Sequence, residues 1–145
     1  MIAVDTNLLV YAHRGGVPEH QAARAALERV SRDRRGWGTA VGCVAEFWSV
    51  VTHAKAAGRP SEPDEARRFL DALVDQGGLE IWSPGPRFDA RLVQMATELE
   101  ISGPRIFDLQ IALTAFDNGA TEIWSHDRNF ASFPGLKTRD PLRGV

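Results

Sequence analysis

Four acidic residues, Asp5, Glu46, Asp108 and Asp127, stand where a strand should end or a helix should begin in this 145-residue chain. In open α/β sheets, ligands bind outside the carboxyl ends of the strands, where the strand order reverses, so such positions can meet in one crevice. Four carboxylates facing one crevice repel each other, and a hard divalent cation relieves the repulsion. Magnesium and manganese prefer oxygen ligands, and magnesium keeps several waters, so a few carboxylates with open positions suit it better than a closed cage. The chemistry this supports is phosphoryl transfer: the metal polarises a phosphate oxygen, lowers the pKa of a bound water and screens the carboxylates from an anionic substrate.

The elements around these acids explain why they should converge. Asp5 closes the apolar run Ile2-Ala3-Val4 and opens the polar turn Asp5-Thr6-Asn7, with a helix expected from Leu8 through Tyr11 onward. Thr121 to Ser125 reads as a strand and His126-Asp127-Arg128-Asn129-Phe130 as the loop after it, which places Asp5 and Asp127 on the same side of a parallel sheet. A helix is expected from about Arg105 to the stop at Asn118-Gly119. On it Asp108 shares a face with Ile111, Ala112 and Ala115, so the acid should be half-buried at a helix N-terminus that favours its charged form. Glu46 lies in the early turns of another helix, bordering the stripe Val44, Phe47, Trp48 and Val51, and is the only charge between Arg35 and Lys55.

Further helices are expected from Pro18 to about Val30, with Ala22, Ala26, Leu27 and Val30 inward, from the start signal Ser61-Glu62-Pro63-Asp64, and from about Pro86 with Phe88, Leu92, Met95, Ala96 and Leu99 at helical spacing. Strands are expected at Trp37 to Val41, Leu79 to Trp82 and, weakly, Leu136 to Thr138. This alternation predicts an α/β fold with a mostly parallel sheet covered on both faces, and the absence of any linker or repeat predicts a single domain over residues 1–145.

At these same residues the chain resembles a known family. Ile-Ala-Val-Asp-Thr-Asn followed by Leu-Leu-Val-Tyr-Ala, then Ala45-Glu46-Phe47, Ile106-Phe107-Asp108-Leu109-Gln110-Ile111-Ala112 and Ser125-His126-Asp127-Arg128-Asn129-Phe130 are similar to the PIN-domain ribonucleases, and among them to VapC-type toxins of toxin–antitoxin pairs. The similarity runs from Met1 to about Pro134. It implies an α/β/α sandwich and a metal-dependent endoribonuclease in which Asp5, Glu46, Asp108 and Asp127 hold one or two magnesium or manganese ions, with Asn7 and Ser125 supporting the cluster. It also implies a homodimer and a cognate antitoxin protein as partner. The expected reaction is cleavage of single-stranded or loop RNA by a metal-bound water, with Asp5, Asp108 and Glu46 around the main ion and Asp127 completing that site or holding a second ion.

Composition agrees. The length suits one domain that buries a core without staples, and the single cysteine, Cys43, excludes an intramolecular disulfide and points to a reducing compartment. With no apolar stretch long enough to span a bilayer and no signal peptide ahead of the first strand, a cytoplasmic protein without a membrane partner is expected. The 17 basic and 19 acidic side chains give a net charge of −2. Setting the four site acids aside leaves 15 acidic residues, so the surface outside a metal-filled site is mildly basic, at +2. Arg105 and Arg128 flank candidate ligands and are read evenly as phosphate contacts or structural ion pairs. The run Arg32, Arg34 and Arg35 is read as a solvated helix C-terminus.

Other polar residues receive duller readings. Asp117 falls on the far face of its helix, and Asp89 and Asp140 read as helix-start and loop residues. The histidines lack metal-ligand spacing, and His126, beside Asp127, is a solvated loop residue or a substrate contact. The four tryptophans read as packing rather than as stacking platforms. Two rival functions bear on the same acids. Asp5 could be the nucleophile of a phosphatase, though position 7 is Asn and leaves no second acid two residues on. A catalytically silent RNA- or protein-binding scaffold is the other.

Overall fold

The computed structural model describes residues 1–56 and 58–144. Its elements, in chain order, are β1 (Ile2–Val4), α1 (Thr6–His13), α2 (His20–Ser31), β2 (Trp37–Ala40), α3 (Val41–Thr52), α4 (Pro63–Asp75), β3 (Glu80–Trp82), α5 (Phe88–Glu98), α6 (Arg105–Asp117), β4 (Glu122–Trp124) and β5 (Lys137–Arg139). The five strands form one sheet in the order β3-β2-β1-β4-β5, and every pairing is parallel. Parallel neighbours require crossover helices, which cover both faces and bury the central strand completely.

The alternation of β1 divides the core in two. Ile2 and Val4 join Leu8, Leu9, Val30, Trp37, Phe47, Val51 and Leu70 on the face packed by α1, α2, α3 and α4. Ala3 turns the other way and meets Leu109, Ala112, Leu113 and Ile123, with Leu92 and Met95 of α5 packed against that second cluster. The result is the expected α/β/α sandwich. Gly38 in β2 is a close-approach glycine, because a Cβ there would stand 2.3 Å from the Trp82 ring.

Several boundaries and faces differ from expectation for local reasons. α1 begins at Thr6 rather than Leu8, because Asp5 acts as its N-cap and accepts the Thr6 N–H at 2.8 Å. In α2 it is Ala23, not Ala22, that is buried, while Ala26, Leu27 and Val30 turn inward as expected. In α3 Val44 and Trp48 are only partly buried and Cys43 takes the core position beside Phe47 and Val51. No residue of α5 is fully buried and Leu99 is exposed, since α5 covers a flank of α6 rather than the sheet centre. The α4 start holds: Pro63 occupies the first turn and the Glu65 carboxylate accepts the Glu62 N–H at 3.2 Å. Trp37, Trp82 and Trp124 are buried, and Trp48 partly so, as packing residues. Among the described residues no helix is long and apolar enough to cross a membrane.

Candidate active site

The strand order runs outward from β1 in both directions, to β2 and β3 on one side and to β4 and β5 on the other. β1 and β4 are therefore the switch point at which a crevice opens beyond the strand ends. Val4 pairs with Trp124, and the Asp5 N–H donates to the Trp124 carbonyl at 3.0 Å, which sets the residues after both strands side by side.

Asp5 is 7% exposed. Its Oδ1 accepts the Thr6 N–H and its Oδ2 accepts the Ser125 hydroxyl at 2.7 Å. Ser125 Oγ in turn accepts from Asn7 Nδ2 at 3.2 Å and from the Asp127 N–H at 3.1 Å, so its one donor and two lone pairs are all used. The Asn7 carbonyl accepts the His126 N–H at 3.2 Å. Asn7 and Ser125 thus stitch the turn after β1 to the turn after β4, and through them Asp127 is tied to Asp5. The Asp127 carboxylate itself is exposed and accepts the Asn129 N–H at 2.9 Å, an Asx turn that shapes its loop.

Glu46 arrives from α3 and is exposed rather than at the border of the core stripe; the Thr6 hydroxyl donates to its Oε2 at 3.1 Å. Asp108, in the first turn of α6, is partly buried, and its Oδ2 accepts the Ala131 N–H at 3.2 Å, docking the segment after Asp127 against α6. Each of the four predicted acids therefore has at least one oxygen held by a neighbouring donor.

Their proximity has an electrostatic signature. Burial pushes the Asp5 carboxyl up to about 6; the Ser125 and Thr6 hydrogen bonds oppose this, and the charges of Asp108 and Glu46 reinforce it. Asp108 also moves up, first through burial, against its bond from Ala131, and then through the charges of Asp127 and Glu46, with Arg105 opposing. The helix N-terminus was expected to favour the charged form of Asp108, yet desolvation and like charges outweigh it. Among the described residues the ion pairs leave all four acids out.

The donor set fits a hard divalent cation: only carboxylate oxygens, partly desolvated, mutually repelling and unpaired with any cation. As arranged, no three His, Cys, Asp or Glu side chains among the described residues already enclose an ion position. The set is coupled but open, and Glu46 and Asp127 are its two exposed members.

Arg105 and Arg128 form no ion pair or hydrogen bond through their side chains among the described residues. The arginine run is the exposed end of α2 as expected, with surface ion pairs from Arg32 to Glu28 and from Arg35 to Asp33 and Glu122. Asp117 has the structural role expected of it, accepting from Arg91 and the Gly85 N–H. Asp140 does more than a loop acid. It binds His126 Nδ1 at 2.9 Å, Arg143 and the Leu142 N–H, and so holds His126 beside the site with its ring edge-on to Tyr11. Thr6, Cys43 and Asp140 all escaped sequence reasoning. Thr6 sits inside the Asp-Thr-Asn turn and was signalled by it. Cys43, whose thiol burial and the Asp5 charge push up to about 12, is an inert wall of the Asp5 pocket. Only the parallel pairing of β4 with β5 brings Asp140 next to His126.

The PIN domain sequence profile matches residues 2–136. The chain belongs to the PIN-domain family. Over 144 residues it is 37% identical to the VapC ribonuclease Mb2897 of Mycobacterium bovis, an alignment that covers 99% of this chain and 97% of that protein. Among solved structures, VapBC2 from Rickettsia felis, crystallised with a DNA fragment from their promoter, superposes with a TM-score of 0.69 at 23% identity, covering 97% of this chain and 98% of that one. VapC20 of Mycobacterium tuberculosis, a sarcin-ricin loop cleaving toxin, superposes with a TM-score of 0.66 at 12% identity, covering 90% and 92%.

Proposed function

We propose that the protein is a divalent-metal-dependent endoribonuclease of the VapC type, the toxin of a toxin–antitoxin pair, which hydrolyses RNA phosphodiester bonds in the crevice beyond β1 and β4. The observation that carries this reading is the set of mutually repelling carboxylates after β1 and β4 and on α3 and α6, none of them in an ion pair among the described residues, on a chain 37% identical to a VapC ribonuclease over nearly its whole length. Asp5, Glu46 and Asp108 hold the main magnesium or manganese ion, and Asp127 completes its shell or holds a second one. When bound, the metal supplies an activated water and neutralises charge at the phosphate.

The remaining tasks fall to the protein. Ser125 and the Thr6 N–H fix Asp5, the Thr6 hydroxyl restrains Glu46, and the Ala131 N–H orients Asp108. Asn7 and Ser125 are the supports that keep the β1 and β4 turns in register. Arg105 and Arg128, whose side chains form no ion pair or hydrogen bond among the described residues, contact substrate phosphates. A cognate antitoxin protein is the partner and a homodimer the assembly, both supported by kinship with VapC proteins, and the cytoplasm is where such a toxin meets its RNA. The presence of all four acids in the chain weighs against the silent-scaffold alternative.

The test is incubation of the purified chain, freed of co-purifying partners, with total cellular RNA in magnesium or manganese, in chelator, and with Asp5→Asn in its place. Discrete fragments that require both metal and Asp5 are expected. A folded, metal-binding chain that cuts no RNA, or cutting that survives Asp5→Asn, would refute the assignment.

A further inference from the structure

Beside the carboxylates lies a groove of about 320 Å³ between α3 and α6, lined by Gly42, Glu46, Phe107, Gln110 and Ile111. Phe107 is 62% exposed, although the helix that carries it buries Leu109, Ile111, Ala112, Leu113 and Ala115. Its ring contributes little to the core, and it directly precedes the site acid Asp108. Across the groove Gly42 leaves open space, since a Cβ there would meet nothing within 4 Å. The side-chain amide of Gln110 has no hydrogen-bond partner among the described residues. Glu46 belongs both to this groove and to the carboxylate set, so a polymer whose phosphate sits on the acids has its neighbouring unit at the groove.

We propose that this groove is a nucleobase subsite, in which the ring of Phe107 stacks on the base adjoining the scissile phosphate and the Gln110 amide pairs with that base's edge. The assignment rests on the ribonuclease reading above. Sequence-specific RNA recognition works on unstacked bases that are splayed onto aromatic side chains and hydrogen-bonded on their edges. An aromatic face accepts any base, whereas an amide presents two donors and an acceptor. Phe107 thus supplies affinity and Gln110 supplies preference. Phe107 is an exposed aromatic ring directly beside an acid of the site.

The experiment compares wild type, Phe107→Ala, Phe107→Tyr and Gln110→Ala on total cellular RNA and on a short fluorescein-labelled random-sequence RNA. Binding of that RNA and of an abasic ribose-phosphate oligomer is measured in magnesium in the Asp108→Asn background, where cleavage is slow on the timescale of the binding measurement. Stacking predicts that Phe107→Ala lowers kcat/KM and RNA affinity about 5- to 150-fold, the range associated with loss of one base–aromatic stack. Phe107→Tyr should stay near wild type, abasic binding should be unchanged, and Gln110→Ala should alter the base found beside the cut. Wild-type cleavage with unaltered Phe107→Ala cleavage and binding would overturn the subsite while leaving the nuclease reading intact. A Phe107→Ala loss that tracks dissociation of a dimer in sedimentation would overturn it too, assigning the ring to contact between copies. No cleavage by wild type would sink the nuclease reading, and the binding comparison would still decide the subsite.

Discussion

Ser125 and Asp5, 120 positions apart in sequence, share a 2.7 Å hydrogen bond from hydroxyl to carboxylate that joins the ends of the central strand β1 and its neighbour β4. The same hydroxyl oxygen receives Asn7 Nδ2 and the Asp127 N–H. One side chain therefore sets the geometry of Asp5, Asn7 and Asp127 together, and its loss should reach all three.

Replacing Ser125 with Ala leaves the buried Asp5 carboxylate without its hydroxyl donor and the Asp127 N–H without its acceptor. A cost of about 1–3 kcal/mol is expected, with Tm lower by roughly 2–4 °C per kcal/mol for a chain of this size. Cleavage should weaken as well, because Asp127 loses its anchor to Asp5. Ser125→Thr, which keeps the hydroxyl, should recover most of both. Thermal unfolding beside a cleavage assay checks this, and an alanine variant as stable and active as wild type would contradict the linking role.

Asp108→Asn separates chemistry from architecture. The amide oxygen can still accept the Ala131 N–H, so the loop stays docked, while the negative charge that binds metal is removed. Cleavage should fall by roughly 100-fold or more, the scale of several kcal/mol of lost metal-supported stabilisation. Metal-free stability should hold or rise slightly, because a carboxylate repelled by Asp127 and Glu46 has become neutral. A parallel loss of stability and activity would mean that Asp108 matters only as a packing acceptor.

Much of this arrangement was legible in the sequence, and the parts that were not share a cause. Asp5 and Asp127 announce themselves because short apolar strands end at acids, and Asp108 because it lies in the first turn of a helix with a clear stop at Asn118-Gly119, although that helix is buried on more faces than the expected stripe of Ile111, Ala112 and Ala115. The strand order follows less directly: β1 lies at the centre because both β2 and β4 pair with it, a fact of long-range packing. Glu46 was expected at a core border, yet α3 is rotated so that Cys43 faces the sheet and Glu46 faces out. Asp140 was illegible as a site neighbour, since its meeting with His126 depends on β5 adding to the edge of β4. Residues placed by their own element were readable, and residues placed by another element's register were not.

Asp5 should give the metal-free protein an unusual pH dependence. Its carboxyl is raised from an ordinary 3.8 to about 6, chiefly by burial. Between those values the folded state holds a proton that the unfolded chain has released, so stability falls as pH rises through the window. Below about pH 4 both states are protonated and no cost arises. Above pH 6 both are ionised and the full cost of burying the charge is present, about 3 kcal/mol at about 1.4 kcal/mol per pKa unit. Asp5→Asn should therefore raise the Tm of the metal-free protein near pH 8, and the gain should vanish near pH 4. Magnesium should stabilise wild type more near pH 8 than near pH 5, where protons compete for the same oxygens, and should not stabilise Asp5→Asn comparably. A pH-independent effect of the substitution would show that Asp5 is ionised throughout and that its burial is fully compensated.

Asp140 should act on the site only through what it holds. Its carboxylate receives His126 Nδ1, the Leu142 N–H and Arg143, and His126 is also fastened by its own N–H to Asn7. Removing the carboxylate in Asp140→Ala cuts one of the two ties on His126 and frees the segment that follows β5. Amide exchange should accelerate from His126 to Ala131, with the rest of the sheet unaffected, because the β4–β5 pairing through Lys137, Thr138 and Arg139 does not use the Asp140 side chain. Since Asp127 and the Ala131 N–H that orients Asp108 both lie in that segment, cleavage should fall several-fold, by less than in Asp108→Asn, where a carboxylate itself is lost. Hydrogen exchange read residue by residue distinguishes this from general destabilisation: a uniform acceleration across β1 and α6 would mean that Asp140 secures the whole fold, and unchanged exchange with unchanged cleavage would mean that its bond to His126 is incidental.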